Sequence, residues 1–516
     1  MLIQDELNYD LGIIEVEYQD LYSKLNVAQK IFYHTIMNAV NNKQGGVFFL
    51  YGYGGTGKTF VWKTLFAAIR SIGEIVINVA SSGIAALLLH GGRKAHSRFI
   101  IPINLTENSF CSIAPDSDLA ALLNKVRLII WDEAPMMHRH CFEAFDRTLR
   151  DIIRSSDRNK AFGGKTIVFG GDFIQILPVI QRGNRSDIVQ TSLHSSRLWS
   201  ECTVLRLTVN MRLQVGCPTN DLDETKAFAE WILKIGEGNI GGPNDGEAEV
   251  EFTKDVIIRS IGDHIHSIVS TIYPSFESHL DDPSYFQDKA ILVPTNEEVD
   301  AINDYMLGLM KDEGKTYLSS DSLCETESAD CFEESVYSPD VLNAFKASGI
   351  PNHKLTLKTG VPVMLLRNID QTKGLCNGTR LQIVRLGKHV IEARIIAGRF
   401  FNETVYIPRM KLTLSDKRIP FRFQQRQFPV AICFAMTINK SQGQSLSTVG
   451  FFKITIIVED ITGSVSLTLY DSGAKKLIRK NAQELVDQFN EDGNNEIYPS
   501  EYTIGKKDGV QNSNYT

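Results

Sequence analysis

Val47-Phe-Phe-Leu-Tyr-Gly-Tyr-Gly-Gly-Thr-Gly-Lys-Thr-Phe60 decides the fold of this chain. Val47 to Leu50 is a short apolar run and reads as a buried strand; glycines stop it, and apolar residues at helical spacing resume from Thr59 to Ile72. Between strand and helix, Gly52, Gly57, Lys58 and Thr59 fit G-x-x-x-x-G-K-[ST], the P-loop. Gly54, Gly55 and Gly57 let backbone N–H groups curl around phosphate oxygens, with Thr56 inside the same curl. Lys58 reaches the β- and γ-phosphates, the Thr59 hydroxyl is a Mg²⁺ ligand, and the helix N-terminus adds partial positive charge. A glycine-rich turn alone would be weak evidence. Flanked by strand and helix, it implies a site for a nucleoside triphosphate with Mg²⁺.

Working outward, Asn26–Ala39 reads as an amphipathic helix with Gln29 in its first turn, and Ile75–Ala80 as a second strand. Residues 118–126 read as a helix and Leu128–Trp131 as a third strand, ending in Asp132-Glu133. A helix over 138–155 and a fourth strand, Thr166–Phe169, follow, the strand ending in Gly170-Gly171-Asp172. Strands alternating with helices imply an α/β fold whose parallel sheet binds ligands at the strand C-terminal ends. Asp132 then suits the Mg²⁺-holding role and Glu133 the activation of water. An Asp-Glu pair is common, but downstream of a P-loop in one sheet it points to hydrolysis as well as binding.

From Thr203 onward the character changes. Ala290–Pro294 reads as a strand entering Thr295-Asn296, with an amphipathic helix to about Met310. Residues 312–340 read as a solvated acidic loop, since Asp321 to Asp340 holds seven carboxylates and no basic residue. Short alternating strands (361–366, 379–386, 390–396, 404–407) read as a small β-barrel-like insertion over 355–427. Phe428–Ala435 then reads as one buried strand running into Thr437-Ile438-Asn439-Lys440.

Composition limits the rest. With 43% hydrophobic and 22% charged residues the chain is of ordinary globular type, and 516 residues suffice for two to four domains. The sequence carries no membrane-length apolar run and no signal-like N-terminus. Eight scattered cysteines without a C-x-x-C pair argue against a zinc ribbon and suit a reducing compartment. A net charge of −7 means that any contact with nucleic acid must come from a local groove.

With these residues in view, Leu25 to Thr448 resembles the Pif-type DNA helicases of superfamily one, relatives of the RecD helicases. Leu25-Asn26-Val27-Ala28-Gln29 is similar to the family's adenine-contacting motif. Ala80 to Leu89 and Ala95-His96-Ser97 resemble its single-strand-contacting motifs, and Gly170 to Val179 the motif whose glutamine, here Gln175, senses the γ-phosphate. Asn210-Met211-Arg212 resembles the motif whose arginine points at that phosphate. Pro294-Thr295-Asn296 and Ala435 to Leu446 resemble the second motor lobe. The resemblance implies catalytic roles for Lys58, Glu133, Gln175 and Arg212, and nucleotide contact by Gln29, the loop residues 52 and 54–59, and Gly443. It implies DNA contact by Ser82, His96, Ser97, Thr295, Asn296, Thr437, Asn439 and Lys440. Taken singly, Gln29 reads as an exposed helix residue, Arg212 as a surface arginine and Ser441 as a helix cap; only their order in the motifs promotes them.

The domain plan expected is a flexible lead-in (1–20), a RecA-like lobe (21–204), and a second lobe (205–354 and 428–449) interrupted by an SH3-like insertion (355–427). The family then implies a 5′-to-3′ motor on single-stranded and forked DNA, serving repair, recombination, replication or telomere maintenance in the nucleus or an organelle. After Thr448 the family's segment with a second catalytic arginine gives way to other sequence. Residues 450–490 instead resemble part of the OB fold of the replication protein A large subunit, and 491–516 read as a disordered tail. From that change come two expectations, slow hydrolysis and replication-protein-A-like partners; a monomer is expected besides. Two alternatives stand beside the motor: an impaired ATP- and single-strand-binding protein, and, more remotely, a P-loop kinase of small molecules.

Overall fold

The computed structural model describes residues 2–153, 159–175, 177–180, 183–211, 222–240, 252, 256–258, 263–323, 338–345, 347, 349–414 and 423–452, and the backbone of 455–460 and 463–468. The chain divides into two units, residues 1–252 and 253–516.

The first unit runs α1 (Leu2–Leu7), α2 (Leu11–Ser23), α3 (Val27–Asn41), β1 (Gly46–Tyr51), α4 (Lys58–Ser71), β2 (Val76–Ala80), α5 (Gly83–Leu87), β3 (Arg93–Lys94) and α6 (Ala95–Arg98). It continues through α7 (Asp118–Lys125), β4 (Leu128–Asp132), α8 (Arg139–Ile152), β5 (Thr166–Gly171), α9 (Arg185–Thr191), β6 (Cys202–Arg206) and α10 (Leu222–Gly236). Its six strands form one parallel sheet in the order β3-β2-β4-β5-β1-β6. The inner strands are apolar throughout because helices cover both faces. Side chains alternate between the two cores: Val47, Phe49, Ile129, Trp131, Ile167 and Phe169 enter one, and Phe48, Leu50, Leu128, Ile130 and Val168 the other. In register, Ala80 lies beside Asp132 and Tyr51 beside Gly171, so β1, β2, β4 and β5 deliver their C-terminal residues to a single edge.

Two expectations for this unit fail. Residues 2–7 and 11–20 are helical: Glu6 of α1 pairs with Arg70 of α4 and, at 2.5 Å, with Arg98 of α6, and Asp10 caps α2. The acidic, polar composition that suggested a loose lead-in instead supplies a carboxylate to two arginines whose side chains are only 2% and 5% exposed. Residues 205 and 206, expected to open the second lobe, complete a strand of the first unit, Cys202–Arg206. It is the edge strand of the first sheet, parallel to β1, which half-exposed residues masked in the sequence pattern.

The second unit contains α11 (His264–Ile272), α12 (Pro283–Gln287), β7 (Lys289–Val293), α13 (Asn296–Leu309), β8 (Lys315–Leu318), β9 (Ser320–Leu323), α14 (Pro339–Ala344), β10 (Lys354–Leu357) and β11 (Pro362–Leu365). Then come β12 (Arg380–Leu386), β13 (Val390–Ile395), β14 (Thr404–Pro408), β15 (Met410–Leu414), β16 (Phe423–Gln427), β17 (Val430–Ile432), β18 (Ala435–Thr437), α15 (Ile438–Ser441) and β19 (Thr448–Phe451). A parallel sheet, β18-β7-β19, is accompanied by an antiparallel one, β14-β13-β12-β11-β17, and by β15-β16-β9 and β10-β8. Two readings change here. Part of the acidic stretch, residues 315–318 and 320–323, is strand, paired to β10 and β16; residues 324–337 lie outside those described. The single strand expected over 428–435 is two. β17 pairs antiparallel with β11, and the chain then crosses into β18, parallel to β7.

Buried Asn303 of α13 fixes that crossing. Its amide donates to Ile432 O (3.1 Å) and Ala435 O (3.2 Å), and its carbonyl oxygen accepts from Phe434 N (3.1 Å) and Ala435 N (2.9 Å). All four hydrogen-bonding positions of the carboxamide are used. Beyond β19, residues 455–460 and 463–468 pair as an antiparallel hairpin, β20 and β21. The helix expected near 473–490 and the tail lie outside the described residues.

Candidate nucleotide and nucleic-acid site

The P-loop joins β1 to α4. Gly55 and Gly57 take φ of 92° and 83°, the left-handed region open to glycine, and Gly57 caps α4 without a side-chain hydrogen bond. A Cβ on Gly52 would lie 2.5 Å from Thr56 Oγ1, and one on Gly57 2.5 Å from Gln29 Nε2. These glycines therefore answer to crowding as well as to phosphate approach. Lys58 is buried, and its ammonium donates to Gly52 O and, at 3.5 Å, to Tyr53 O. Gly54 is exposed, and Thr59 opens the helix half-buried.

Gln29 is 1% exposed, contrary to the exposed-helix reading. Asn26 and Gln29 form a capping box at the start of α3. The glutamine Oε1 accepts from Asn26 N (3.0 Å), and its Nε2 donates to Thr56 O (3.2 Å), binding α3 to the phosphate loop. Met211 N closes the other side on Gly55 O at 2.8 Å. Arg212, the next residue, lies outside the described residues.

Asp132 ends β4 and is buried; burial pushes its carboxyl pKa up, with Lys58 opposing. Its Oδ1 is buried with no hydrogen-bond partner among the described residues. Such an atom costs free energy unless a cation or donor joins it, so a carboxylate oxygen here fits a divalent metal held with Thr59. Glu133 follows in the left-handed region, φ 52°, which swings its side chain away from the strand line. Burial, then the neighbouring Asp132, raise its pKa to about 7; Lys58 opposes and Asp172 adds to the rise. That places it near the value a general base needs. Gln175 sits just past β5, its N–H donating to Asp172 O at 3.3 Å.

Sequence reasoning left Asp172 out of the site. It is buried, accepts from Ile174 N (3.0 Å), and, beyond burial, its charge raises the pKa values of Tyr51 and Glu133. Its signal was available: a polar residue directly ending an apolar strand after two glycines.

The candidate DNA residues fall in two groups, one in each unit. In the first, Ser82 caps α5 by accepting from Ala85 N (3.1 Å), and exposed Ser97 donates to Lys94 O (3.0 Å). His96 is half-buried; burial and then Lys94 lower its pKa to about 4, so it is neutral near pH 7. In the second unit, Thr295 caps α13 in a box with Glu298, while Asn296 is exposed. Thr437 caps α15 without a side-chain hydrogen bond, Asn439 is exposed, Lys440 is half-buried, and Gly443 takes φ 80°. Because β7 and β18 are parallel neighbours, with Thr437 beside Val293, Thr295 and the Thr437–Lys440 segment leave the same sheet edge.

A glycine-cradled lysine, a metal-ready aspartate and a raised glutamate at one edge of a parallel sheet define a P-loop nucleoside triphosphatase unit. Residues 24–246 match the PIF1-like helicase family, and residues 340–386 match the 2B domain of DNA helicase Pif1. The chain is thus similar to the PIF1-like helicase family across most of its first unit and part of its second. It is 24% identical to the human ATP-dependent DNA helicase PIF1 over 411 residues, 79% of this chain and 54% of that protein. It is 25% identical to the Pif1 of Bdellovibrio bacteriovorus, over 78% of this chain and 77% of that one. The chain thus spans about half the length of the human relative. Its fold is similar to that of the Pif1 helicase from Bacteroides, crystallised with ADP-AlF3 and single-stranded DNA (TM-score 0.53, 22% identity, 81% and 85% of the two chains). It is equally similar to the Pif1 helicase of Candida albicans (TM-score 0.53, 21% identity, 83% and 88%).

Proposed function

We propose that this chain is an ATP-dependent DNA helicase that couples hydrolysis to movement along single-stranded DNA and opens forked duplexes, 5′ to 3′. The observation that carries this reading is the meeting of the Lys58 loop with Asp132 and Glu133 at one sheet edge, in a chain similar to the PIF1-like helicase family. Gln29 holds the loop that cradles the phosphates, and Lys58 turns from the loop carbonyls to the β- and γ-phosphates. Glu133 takes a proton from the attacking water. Thr59 and Asp132 would hold Mg²⁺, which would supply charge neutralisation at the phosphate oxygens. Gln175 and Arg212 are the proposed γ-phosphate contacts. Ser82, Ser97, Thr295, Asn296, Thr437, Asn439 and Lys440 are the proposed backbone contacts, which suits a track without base preference; neutral His96 is proposed to add a hydrogen bond or a stacking face.

RecA-like lobes over 21–204 and 205–354 with 428–449, adjusted for the edge strand at 202–206, are the proposed working parts, with the 355–427 insertion SH3-like. The proposed setting is repair, recombination, replication or telomere maintenance in the nucleus or a DNA-bearing organelle, as a monomer with replication-protein-A-like partners. The test is ATP turnover with and without single-stranded DNA. Turnover stimulated by DNA and reduced ~10²- to 10⁴-fold in Glu133→Gln supports the reading. Equal turnover in the parent and the variant would remove Glu133 from its role, and indifference to DNA would remove the motor.

A further inference from the structure

Two buried polar atoms at the metal side of the site have no hydrogen-bond partner among the described residues. One is Asp132 Oδ1; the other is the indole N–H of Trp62, the residue one turn into α4 after Thr59. Trp62 is fully buried, and its ring is held edge-to-face against Phe32 (centroids 5.8 Å apart), one turn beyond Gln29 on α3. Gly170 of β5 fixes how near the indole and carboxylate come. A Cβ placed on Gly170 would clash with Trp62 Cζ2, and would lie 3.3 Å from Trp62 Cε2 and 3.2 Å from Asp132 Oδ1. Cε2 is bonded to the indole nitrogen, so indole and carboxylate face one another across a glycine that leaves room for both.

A tryptophan N–H is a donor only, and a buried one ordinarily finds an acceptor. A carboxylate that serves a metal through one oxygen needs its orientation fixed by a group outside the metal shell. The indole N–H can donate to one oxygen of Asp132 while the other is left for a cation. We propose that Trp62 is a positioning residue of the metal–nucleotide site, its indole N–H holding the Asp132 carboxylate in the orientation that presents an oxygen to the divalent cation. This rests on the nucleotide-site reading above. Trp62 touches neither phosphate nor water; it acts through Asp132, and Gly170 and Phe32 keep the ring in place.

The experiment measures binding of a fluorescent ADP analogue by the full chain while Mg²⁺ is titrated, in the parent and in Trp62→Phe. The phenyl ring keeps most of the packing and removes the donor. The Mg²⁺ concentration for half-maximal tightening rises about tenfold, as expected for losing a hydrogen bond to a charged group, while affinity in a chelator is unchanged. Equal Mg²⁺ dependence in the two proteins overturns the role of Trp62 and leaves the nucleotide site standing; no binding by the parent under any condition overturns both. A second measurement needs no substitution. With indole nitrogens labelled with ¹⁵N, Mg²⁺·ADP moves one tryptophan N–H signal of the parent downfield, and ADP with chelator does not. Absence of any such movement overturns the proposal even where Trp62→Phe fails to fold.

Discussion

At the scale of single residues, the site's chemistry turns on how far burial pushes two adjacent carboxyls. Glu133 has its pKa raised to about 7 by burial and by Asp132, well above its ordinary 4.5. A carboxyl whose folded value exceeds its unfolded one holds its proton more tightly when folded. Its contribution to stability is therefore complete below about pH 4.5 and is lost as pH rises through about 7. Glu133→Gln removes that dependence. The difference in melting temperature between parent and variant, without nucleotide, should grow in the variant's favour between those limits and level off above; a difference independent of pH would refute the raised value. Ionisation of Glu133 also sets the expected acidic limb of turnover, near pH 7 before metal binding. These residues were legible because the P-loop spacing and the strand-ending Asp-Glu pair are local patterns. The burial of Gln29 was not, because it depends on Thr56, 27 positions away.

Among the elements, the N-terminal helices taught most. Polarity suggested a loose lead-in, yet Glu6 is the carboxylate shared by Arg70 at the end of the P-loop helix and Arg98 beside Ser97. Tyr9 adds its ring over Arg70, 4.7 Å from the guanidinium. Removing one member of a buried ion cluster strands the others, at roughly 3–5 kcal/mol. Glu6→Gln is expected to lower the unfolding free energy by that order, read from the denaturant midpoint and slope, with Glu6→Asp, too short to reach both arginines, in between. An unchanged midpoint would mean that α1 lies free of the sheet. Helices with internal spacing (α3, α4, α13) and buried strands (β1, β2, β4, β5) were read nearly to the residue. The edge strand β6 and the β17–β18 crossing were missed because their identity rests on which neighbour they pair with, and pairing leaves no local period.

For the whole molecule, motif order across some four hundred residues carried the family reading where no single motif could. The candidate DNA residues illustrate the limit: Ser82 and Thr295 already serve as helix caps, so their hydroxyls carry a structural duty whatever else they do. Thr437 and Lys440 are the cleaner probe, since Thr437 makes no cap bond. Replacing both with alanine should weaken single-strand binding to a similar degree on unrelated sequences and flatten the salt dependence by about 0.7 in slope, with ADP affinity unchanged. Fluorescence anisotropy across a salt series measures this, and a loss confined to one sequence would exclude backbone contact. Among the described residues no helix is long and apolar enough to cross a membrane.

The Asn303 crossing has a mechanical meaning. From Ile432, the last residue of one sheet, to Ala435, the first of the other, is three peptide steps, about 10 Å at full stretch. With each hydrogen-bonding position of one carboxamide closed on that link, even this short tether has no slack to give. The antiparallel sheet and the strand that ends at Thr437 are thus hitched together. A load borne by the antiparallel sheet is passed through β18 to the start of α15, the helix that carries Lys440.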